Sequence, residues 1–418
     1  MFNFSIIKKI KKIFFPFYKN RDLKFVFKKI QEGFPSQSIT AMFVGGCVRR
    51  HLHNEQIDDI DIATTLTSDQ IKEKFKDTKF NIIDSGIKHG TVTLVSDKLK
   101  LEITTLRKDI KTDGRHAEVE YIDNWQEDSN RRDFTINAIY LDINGKIFDP
   151  QSGVDDLKNK YVKFIGNPLK RIEEDYLRII RFIRFSLEYN SDVQKETIDA
   201  IKLNLNGIKN ISKERILNEL FKILQTKNFL RLNENNNLKE IFLLIFPEFK
   251  YIERTIKIDS IYNKLSLKKN ILLAILLIDE TNNHEYFSHK YHISNQQKEN
   301  LNLLAKNFIN FNGNKNFFQK ELKKNIFFFG KKHLEELNIL NYLSNKKVKL
   351  KDYFYILNTI NKLSLPKFPV DGKYLINQGI KEGAALGKIL KLLQNEWINN
   401  NFKISDQKIA ELIHKQNN

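Results

Sequence analysis

Residues 41–64 read AMFVGGCVRRHLHNEQIDDIDIAT. The stretch divides into a strand, a glycine turn, a short helix and a second strand that carries two carboxylates. Residues 41–44 are apolar and β-prone. Gly45 and Gly46 let the backbone turn sharply and approach something closely, because neither has a Cβ. Arg49 follows on the first turn of a helix, whose free N–H groups and positive end suit an anion. Asp59 and Asp61 then stand two apart in a strand and point to one face, while Ile60 and Ile62 point together into a core.

Two neighbouring carboxylates repel, and each is hard to keep ionised without a cation. The simplest counter-charge for an all-oxygen pair is Mg2+, which takes one or two carboxylates plus substrate phosphates. A glycine turn and an arginine just upstream can hold those phosphates. Together they predict two-metal phosphoryl or nucleotidyl transfer. An Asp-x-Asp alone is common and fits an acidic strand edge equally well. Its joining to Gly-Gly-x-x-Arg at this distance is what favours the chemistry.

Outward from this stretch, the chain has 418 residues, enough for two or more domains, and 41% are hydrophobic, enough for real cores. Lys and Arg number 70 against 51 Asp and Glu. That excess points to a polyanionic partner, nucleic acid or an anionic membrane surface. Lys, Asn and Ile are abundant throughout, so charge alone is a weak pointer to RNA. Cys47 is the single cysteine, which excludes an intramolecular disulfide framework and fits a reducing compartment. A cytoplasmic protein is expected. The longest purely apolar run, Ile271 to Ile278, is far short of a spanning helix and is expected to be a buried helix segment. No stable membrane association is expected. Residues 1–31 are basic and apolar but lack the uninterrupted core and small-residue cleavage site of a signal peptide. They are expected to pack as a helix on the body or to form a basic RNA-contacting arm, ahead of the alternative of an amphipathic membrane-surface helix.

Residues 38–165 alternate strand and helix. Thr67-Ser68-Asp69 caps a helix over 70–75, and strands are expected at 80–84, 90–96 and 99–106. In the last, Leu101 and Ile103 share one face while Glu102 and Thr104 share the other, which makes Glu102 a candidate third carboxylate. Residues 107–120, RKDIKTDGRHAEVE, are polar and contain Asp-Gly, so a mobile loop is expected. From about residue 168 a 3.6-residue periodicity takes over. A strong helix is predicted over 173–185, and Ser212 is the expected N-cap of another. Asp175 and Arg178 are three apart and would neighbour each other on one helix face. An acceptor beside a donor matches the pairing edges of cytosine and adenine. Guanine and uracil present the reverse order, which leaves mismatched groups in a closed site. An ordinary surface ion pair fits the same spacing.

Taken in order, these motifs resemble the class II tRNA nucleotidyltransferases (CCA-adding enzymes) and bacterial poly(A) polymerases of the DNA polymerase beta superfamily. Gly45-Gly46-Cys47-Val48-Arg49 with Asp59-Ile60-Asp61 is similar to the family's first motif. Arg131-Arg132-Asp133-Phe134-Thr135-Ile136-Asn137-Ala138 is similar to its second, and Asp109 to Asp113-Gly114-Arg115 to its flexible loop. Glu174-Asp175-x-x-Arg178-x-x-Arg181-x-x-Arg184 resembles its templating helix, and Ser212-x-Glu214-Arg215 its next motif. The resemblance is continuous over about 35–235 and returns, weaker, at 366–402.

The resemblance implies an α+β nucleotidyltransferase head, a mixed sheet with flanking helices, followed by an all-α neck, body and tail. The expected boundaries are a basic segment 1–31, head 32–165, neck 166–235, body 236–360 and tail 361–418. It further implies addition of C, C and A to a tRNA 3′ end from CTP and ATP. Asp59 and Asp61 would bind Mg2+ and act as catalytic carboxylates; Glu102 as a third catalytic carboxylate is inferred from its strand position. Gly45, Gly46, Arg49, Asp133 and Asn137 would bind the incoming nucleotide. Arg132 would touch its triphosphate. Asp175 and Arg178 would read the base, and Arg181 and Arg184 would bind the nucleotide or brace the head–neck junction. Two departures stand out. Arg50 replaces the family's usual Asp, and His51-Leu52-His53-Asn54 replaces Leu-Leu-Gly, where Asn54 can still take a left-handed conformation. Three rival readings remain: a poly(A) polymerase, an enzyme adding only CC or only A, and an inactive RNA-binding protein. The loop at 109–115 argues against a CC-only enzyme, and intact Asp59, Asp61 and Arg132 argue against an inactive one.

Overall fold

The computed structural model describes residues 16–86, 90–112, 117–262, 269–314 and 316–417. The chain forms two compact units, Met1–Pro247 and Glu248–Asn418.

The first unit is built on a seven-stranded mixed sheet. In chain order its strands are β1 (Ala41–Val44), β2 (Ile60–Thr64), β3 (Asn81–Gly86), β4 (Thr91–Val95), β5 (Lys100–Thr105), β8 (Tyr140–Leu141) and β9 (Ile147–Phe148). β6 (Arg107–Thr112) and β7 (Ala117–Tyr121) form a separate ribbon. The sheet order is β3-β4-β5-β2-β1-β8-β9, and β2 with β5 is the parallel pair. Strict alternation sets its two faces. Ile60, Ile62, Leu101 and Ile103 are buried with Val92 and Leu94 under Leu23, Val26, Phe27 and Ile30 of the helix Arg21–Gln31 and Ile71 and Phe75 of the helix Ser68–Phe75. Met42, Val44, Ala63, Leu106 and Tyr140 cluster separately, with Trp125 against them. The β2–β5 register sets Asp61 opposite Glu102. The expected cap forms, with Thr67 and Gln70 closing a capping box on the helix Ser68–Phe75. Part of the basic N-terminal segment, the helix Arg21–Gln31, thus packs on the sheet; residues 1–15 lie outside the described residues.

Helices complete the first unit. Leu177–Glu188 packs against Lys213–Gln225, which Ser212 caps through its side chain as expected.

Two expectations fail here. Residues 107–120 are not simply a loop, because β6 and β7 pair as an antiparallel ribbon with Arg107 opposite Tyr121 and an irregularity between Asp109 and Lys111. Its polar residues suit a two-stranded ribbon, where Lys108 and Glu120 pair across the strands at 2.8 Å. Asp113, Gly114 and Arg115 lie outside the described residues. The helix over 173–185 is also broken. One helix, Pro168–Glu174, ends at Asp175, whose backbone is extended at φ −155° and ψ 104°, and the next starts at Leu177. The Asp175 carboxylate accepts from the Leu177 N–H at 3.1 Å, the local bond with which Asp competes against helix. The Tyr176 ring wedges onto Gly207, where a Cβ would lie 2.1 Å from the ring.

The second unit is helical, from Asp259–Tyr262 to Asp406–Asn417. The apolar run forms the helix Lys269–Leu277, and Ile271 to Ile278 are all buried, as expected. The helix Leu322–Ser344 is interrupted at Gly330, which sits at φ 79°. Towards the C-terminus, Val370, Leu375, Ile380, Ile389, Leu393, Ile409 and Ile413 form a small core of their own.

Candidate active site

The glycine turn takes the conformation its sequence predicts. Gly45 has φ 70° and ψ −125°, a region L side chains avoid, and Gly46 opens the helix Gly46–Leu52. A Cβ on Gly45 would lie 3.8 Å from Asp61 Oδ2 and 3.9 Å from Arg132 Nη1. The turn therefore brings a strand carboxylate and an arginine from far along the chain to one place. β2 begins at Ile60, so Asp59 sits just before the strand and is exposed, while Asp61 is half-buried. Burial, then the charges of Glu102 and Asp59, push the Asp61 carboxyl up to about 6 against the opposing pull of Arg132 and Arg49.

Asn54 adopts φ 58°, the left-handed conformation expected in place of glycine. Arg50 pairs with Asp58 at 3.1 Å, so this departure links the helix to the segment just before Asp59. His53 bonds Glu55 and His51 lies edge-on to Phe17 and Tyr18, consistent with structural rather than metal-binding roles.

Around the turn lies a cleft of about 1300 Å³ within the first unit. Its lining includes Gly45, Gly46, Arg49, Asp59, Asp61, Asp109, Arg132, Asp133 and Asn137, together with Asp175, Arg178, Arg181 and Arg184. Glu102 is not in the lining; it stands beside Asp61 across the β2–β5 ladder.

The guanidinium groups here are held by acceptors. Arg49 is buried; its Nε donates to the Tyr189 hydroxyl at 2.7 Å, its Nη1 donates to Asn137 Oδ1, and it lies over the Phe185 ring. It therefore ties the glycine turn to the helix Leu177–Glu188. Arg181 pairs with Asp133 at 2.7 Å, and Asp133 Oδ1 accepts from Asn137 Nδ2 at 2.8 Å. Arg184 pairs with buried Glu219 at 2.8 Å. Because the helix breaks, Asp175 and Arg178 do not pair with each other as their spacing predicts. Arg178 bonds Glu174 at 2.6 Å and the Arg171 carbonyl at 2.5 Å, while Asp175 bonds Arg215 at 2.7 Å.

Sequence reasoning missed Asp128, Tyr140, Tyr189 and Glu219. Asp128 is 0% exposed. Burial raises its carboxyl pKa, but Arg132, Arg131 and the Tyr140 hydroxyl outweigh burial and hold it well below the usual carboxylate range. Its signal was the i,i+3 and i,i+4 spacing to Arg131 and Arg132, in a segment that reads as an ordinary polar helix.

Among the described residues no group of three or more His, Cys, Asp and Glu side chains is arranged to hold a metal ion. A divalent cation shared between two carboxylates and substrate phosphates needs no third protein ligand. Asp59 and Asp61 supply hard oxygen donors, and a cation there would favour the ionised Asp61 that burial, then the charges of Glu102 and Asp59, disfavour, so the residues fit one.

Comparison with known proteins agrees with this geometry. Residues 41–163 match the family described as the Poly A polymerase head domain, and 192–252 the one described as a probable RNA and SrmB- binding site of polymerase A. The chain is 32% identical over 416 residues to CCA tRNA nucleotidyltransferase 1, mitochondrial, of Homo sapiens, covering 93% of this chain and 89% of that one. It is 33% identical over 329 residues to the CCA-adding enzyme of Staphylococcus saprophyticus, 77% of each chain. The fold is shared with the Bacillus stearothermophilus CCA-adding enzyme solved with CTP, at TM-score 0.70 and 23% identity over 94% of this chain and 96% of that one. The glycine turn with its carboxylate edge, the mixed sheet that carries it and the helices that follow are thus those of a known group, and the chain belongs to the class II tRNA nucleotidyltransferases, the family of the CCA-adding enzymes.

Proposed function

We propose that the chain adds C, C and A in turn to the 3′ end of tRNA, using CTP and ATP, without a nucleic-acid template and with release of pyrophosphate. The observation that carries the reading is the meeting of Asp61 and Arg132 at the Gly45 turn, in a cleft whose lining includes Asp59, Asp175 and Arg178. The relatives named above are CCA-adding enzymes, which supports the product.

The RNA 3′-hydroxyl attacks the α-phosphate of the incoming nucleotide, and pyrophosphate leaves. Mg2+ is our choice of divalent ion at Asp59 and Asp61, where it would neutralise triphosphate charge and favour the alkoxide. Arg132 Nη1 takes a phosphate oxygen beside the turn, a charge-assisted bond suited to that ligand. Gly45 and Gly46 let the nucleotide approach the backbone. Asp133 and Asn137 act by holding Arg181 and Arg49. Glu102 adds negative charge beside Asp61. Asp175 and Arg178 read the base, which requires them to exchange Arg215 and Glu174 for the base edge. The ribbon of β6 and β7, which carries Asp109, belongs to the segment that serves as the family's flexible loop. In this division of labour the head is 32–165, the neck 166–235, the body 236–360 and the tRNA-binding tail 361–418.

The cytoplasm is the proposed compartment. The single cysteine, Cys47, fits a reducing environment, and burial pushes its thiol up to about 12, which keeps it protonated. No helix among the described residues is long and apolar enough to cross a membrane.

The test uses the purified protein, Mg2+, labelled tRNA ending at its discriminator base, and each nucleotide alone or paired. Growth by three residues with CTP plus ATP, and no further, is expected. A long ladder with ATP alone, on tRNA and unrelated RNA alike, would mean a poly(A) polymerase. A single A added only to tRNA already ending in CC would mean an A-adding enzyme.

A further inference from the structure

Asp128 lies on the short helix Trp125–Asn130, outside the cleft lining, yet it holds two arginines that line the cleft. Its Oδ2 accepts from Arg132 Nε at 3.3 Å, from Arg132 Nη2 at 3.0 Å and from the Tyr140 hydroxyl at 2.6 Å. Its Oδ1 accepts from Arg131 Nε at 2.8 Å and from the backbone N–H of Arg107, where the ribbon begins, at 3.3 Å. Arg131 Nη2 lies 2.7 Å from the same oxygen. The Tyr140 hydroxyl also accepts from Arg132 Nε at 3.1 Å, so Arg132 is gripped twice along one edge. That edge is Nε with Nη2. The other nitrogen, Nη1, is left beside Gly45, on the side where Asp61 Oδ2 lies. An arginine has one planar fork, so fixing one edge of it fixes where the other points.

We propose that Asp128, seconded by Tyr140, is the positioning residue of the triphosphate hold: it aims Arg132 Nη1 at the phosphates and sets Arg131 beside it, without touching the substrate. This rests on the reading that Arg132 contacts the triphosphate. The competing role is a core staple alone. The geometry favours positioning, because the carboxylate takes the same Nε and Nη2 edge of each arginine and both arginines line the cleft.

Asp128→Asn keeps the shape but places an amide donor among groups that already donate, so at least one of them loses its acceptor. The expected result is a rise of about tenfold or more in KM for ATP and CTP, with a matching loss of inhibition by inorganic pyrophosphate. Inhibition by AMP and CMP, which lack the β- and γ-phosphates, and KM for tRNA should stay at wild-type values. Tyr140→Phe should move the same quantities in the same direction by less, and it keeps the test alive if Asp128→Asn does not fold. Arg132→Ala tests the underlying reading separately. If it changes neither KM for ATP nor pyrophosphate inhibition, the triphosphate role of Arg132 fails and Asp128 has nothing to aim. If Arg132→Ala changes both while Asp128→Asn and Tyr140→Phe leave both at wild type, the positioning role is overturned. It is equally overturned if Asp128→Asn weakens AMP, pyrophosphate and tRNA alike and lowers the melting temperature, which is how a staple behaves.

Discussion

The carboxylate edge of the sheet and the arginine-rich helix Leu177–Glu188 line one cleft but are charged in opposite ways. At the edge, burial, then the neighbouring charges of Glu102 and Asp59, drives Asp61 up to about 6. Along the helix and its neighbours each guanidinium has an acceptor: Arg178 has Glu174, Arg181 has Asp133, Arg184 has Glu219, and Arg215 has Asp175. The first region is only partly compensated, by Arg132 and Arg49 beside Asp61 and Lys100 beside Glu102, and gains most from a cation. The second is already satisfied and can act on a base only by exchanging partners. Chemistry and selection should therefore be separable by mutation.

The largest effect is expected at the edge. Asp61→Ala should lower nucleotide incorporation by about a thousandfold or more, several kcal/mol of lost activation, while tRNA affinity stays near wild type. Single-turnover addition and a filter-binding titration measure the two; retained activity would break the contrast at its stronger end. On the satisfied side, Glu219→Gln removes the charge paired with Arg184 at 2.8 Å and leaves it only the longer contact to Glu188 at 3.6 Å. Breaking such a pair should destabilise the fold by about 3 kcal/mol, read from urea unfolding, without a comparable loss in the rate of chemistry. A smaller effect depends on pH. The Asp61 carboxyl is pushed up to about 6 in the fold, above the usual carboxylate range, chiefly by burial. The native state thus keeps a proton that the unfolded chain has already lost, and stability from this group falls as pH rises through about 6. Asp61→Asn should be more stable than wild type at neutral pH in metal-free buffer, by about 2 kcal/mol, and the difference should shrink towards pH 4. A pH-independent difference would mean that the crowding at the edge is compensated.

The edge was legible in the sequence because it is local. Alternation in IDIAT and LEITT sorts carboxylates from core, and the positive φ of Gly45 follows from a turn between a strand and a helix. Thr67, Ser212 and Asn54 were legible for the same reason: a cap or a left-handed residue is decided by a few neighbours. The helices that follow the sheet were harder. Residues 173–185 have helical periodicity throughout, yet the helix breaks at Asp175, whose partner Arg215 is forty residues away and whose neighbour Tyr176 needs the space over Gly207. Asp128 was hidden because its role depends on Arg132 and Tyr140 folding around it. The ribbon at 107–121 was hidden by its polar composition, which marks a loop as readily as a solvated pair of strands.

The separation of chemistry from selection is tested most directly by nucleotide choice. Asp175→Ala and Arg178→Ala would each be assayed with CTP, ATP, UTP and GTP on tRNA lacking its 3′ CCA, alongside tRNA affinity. The discrimination of CTP and ATP against UTP and GTP should fall about tenfold or more in both, with tRNA affinity near wild type. Wild-type selectivity in either variant, or a uniform loss of incorporation with all four nucleotides, would contradict it.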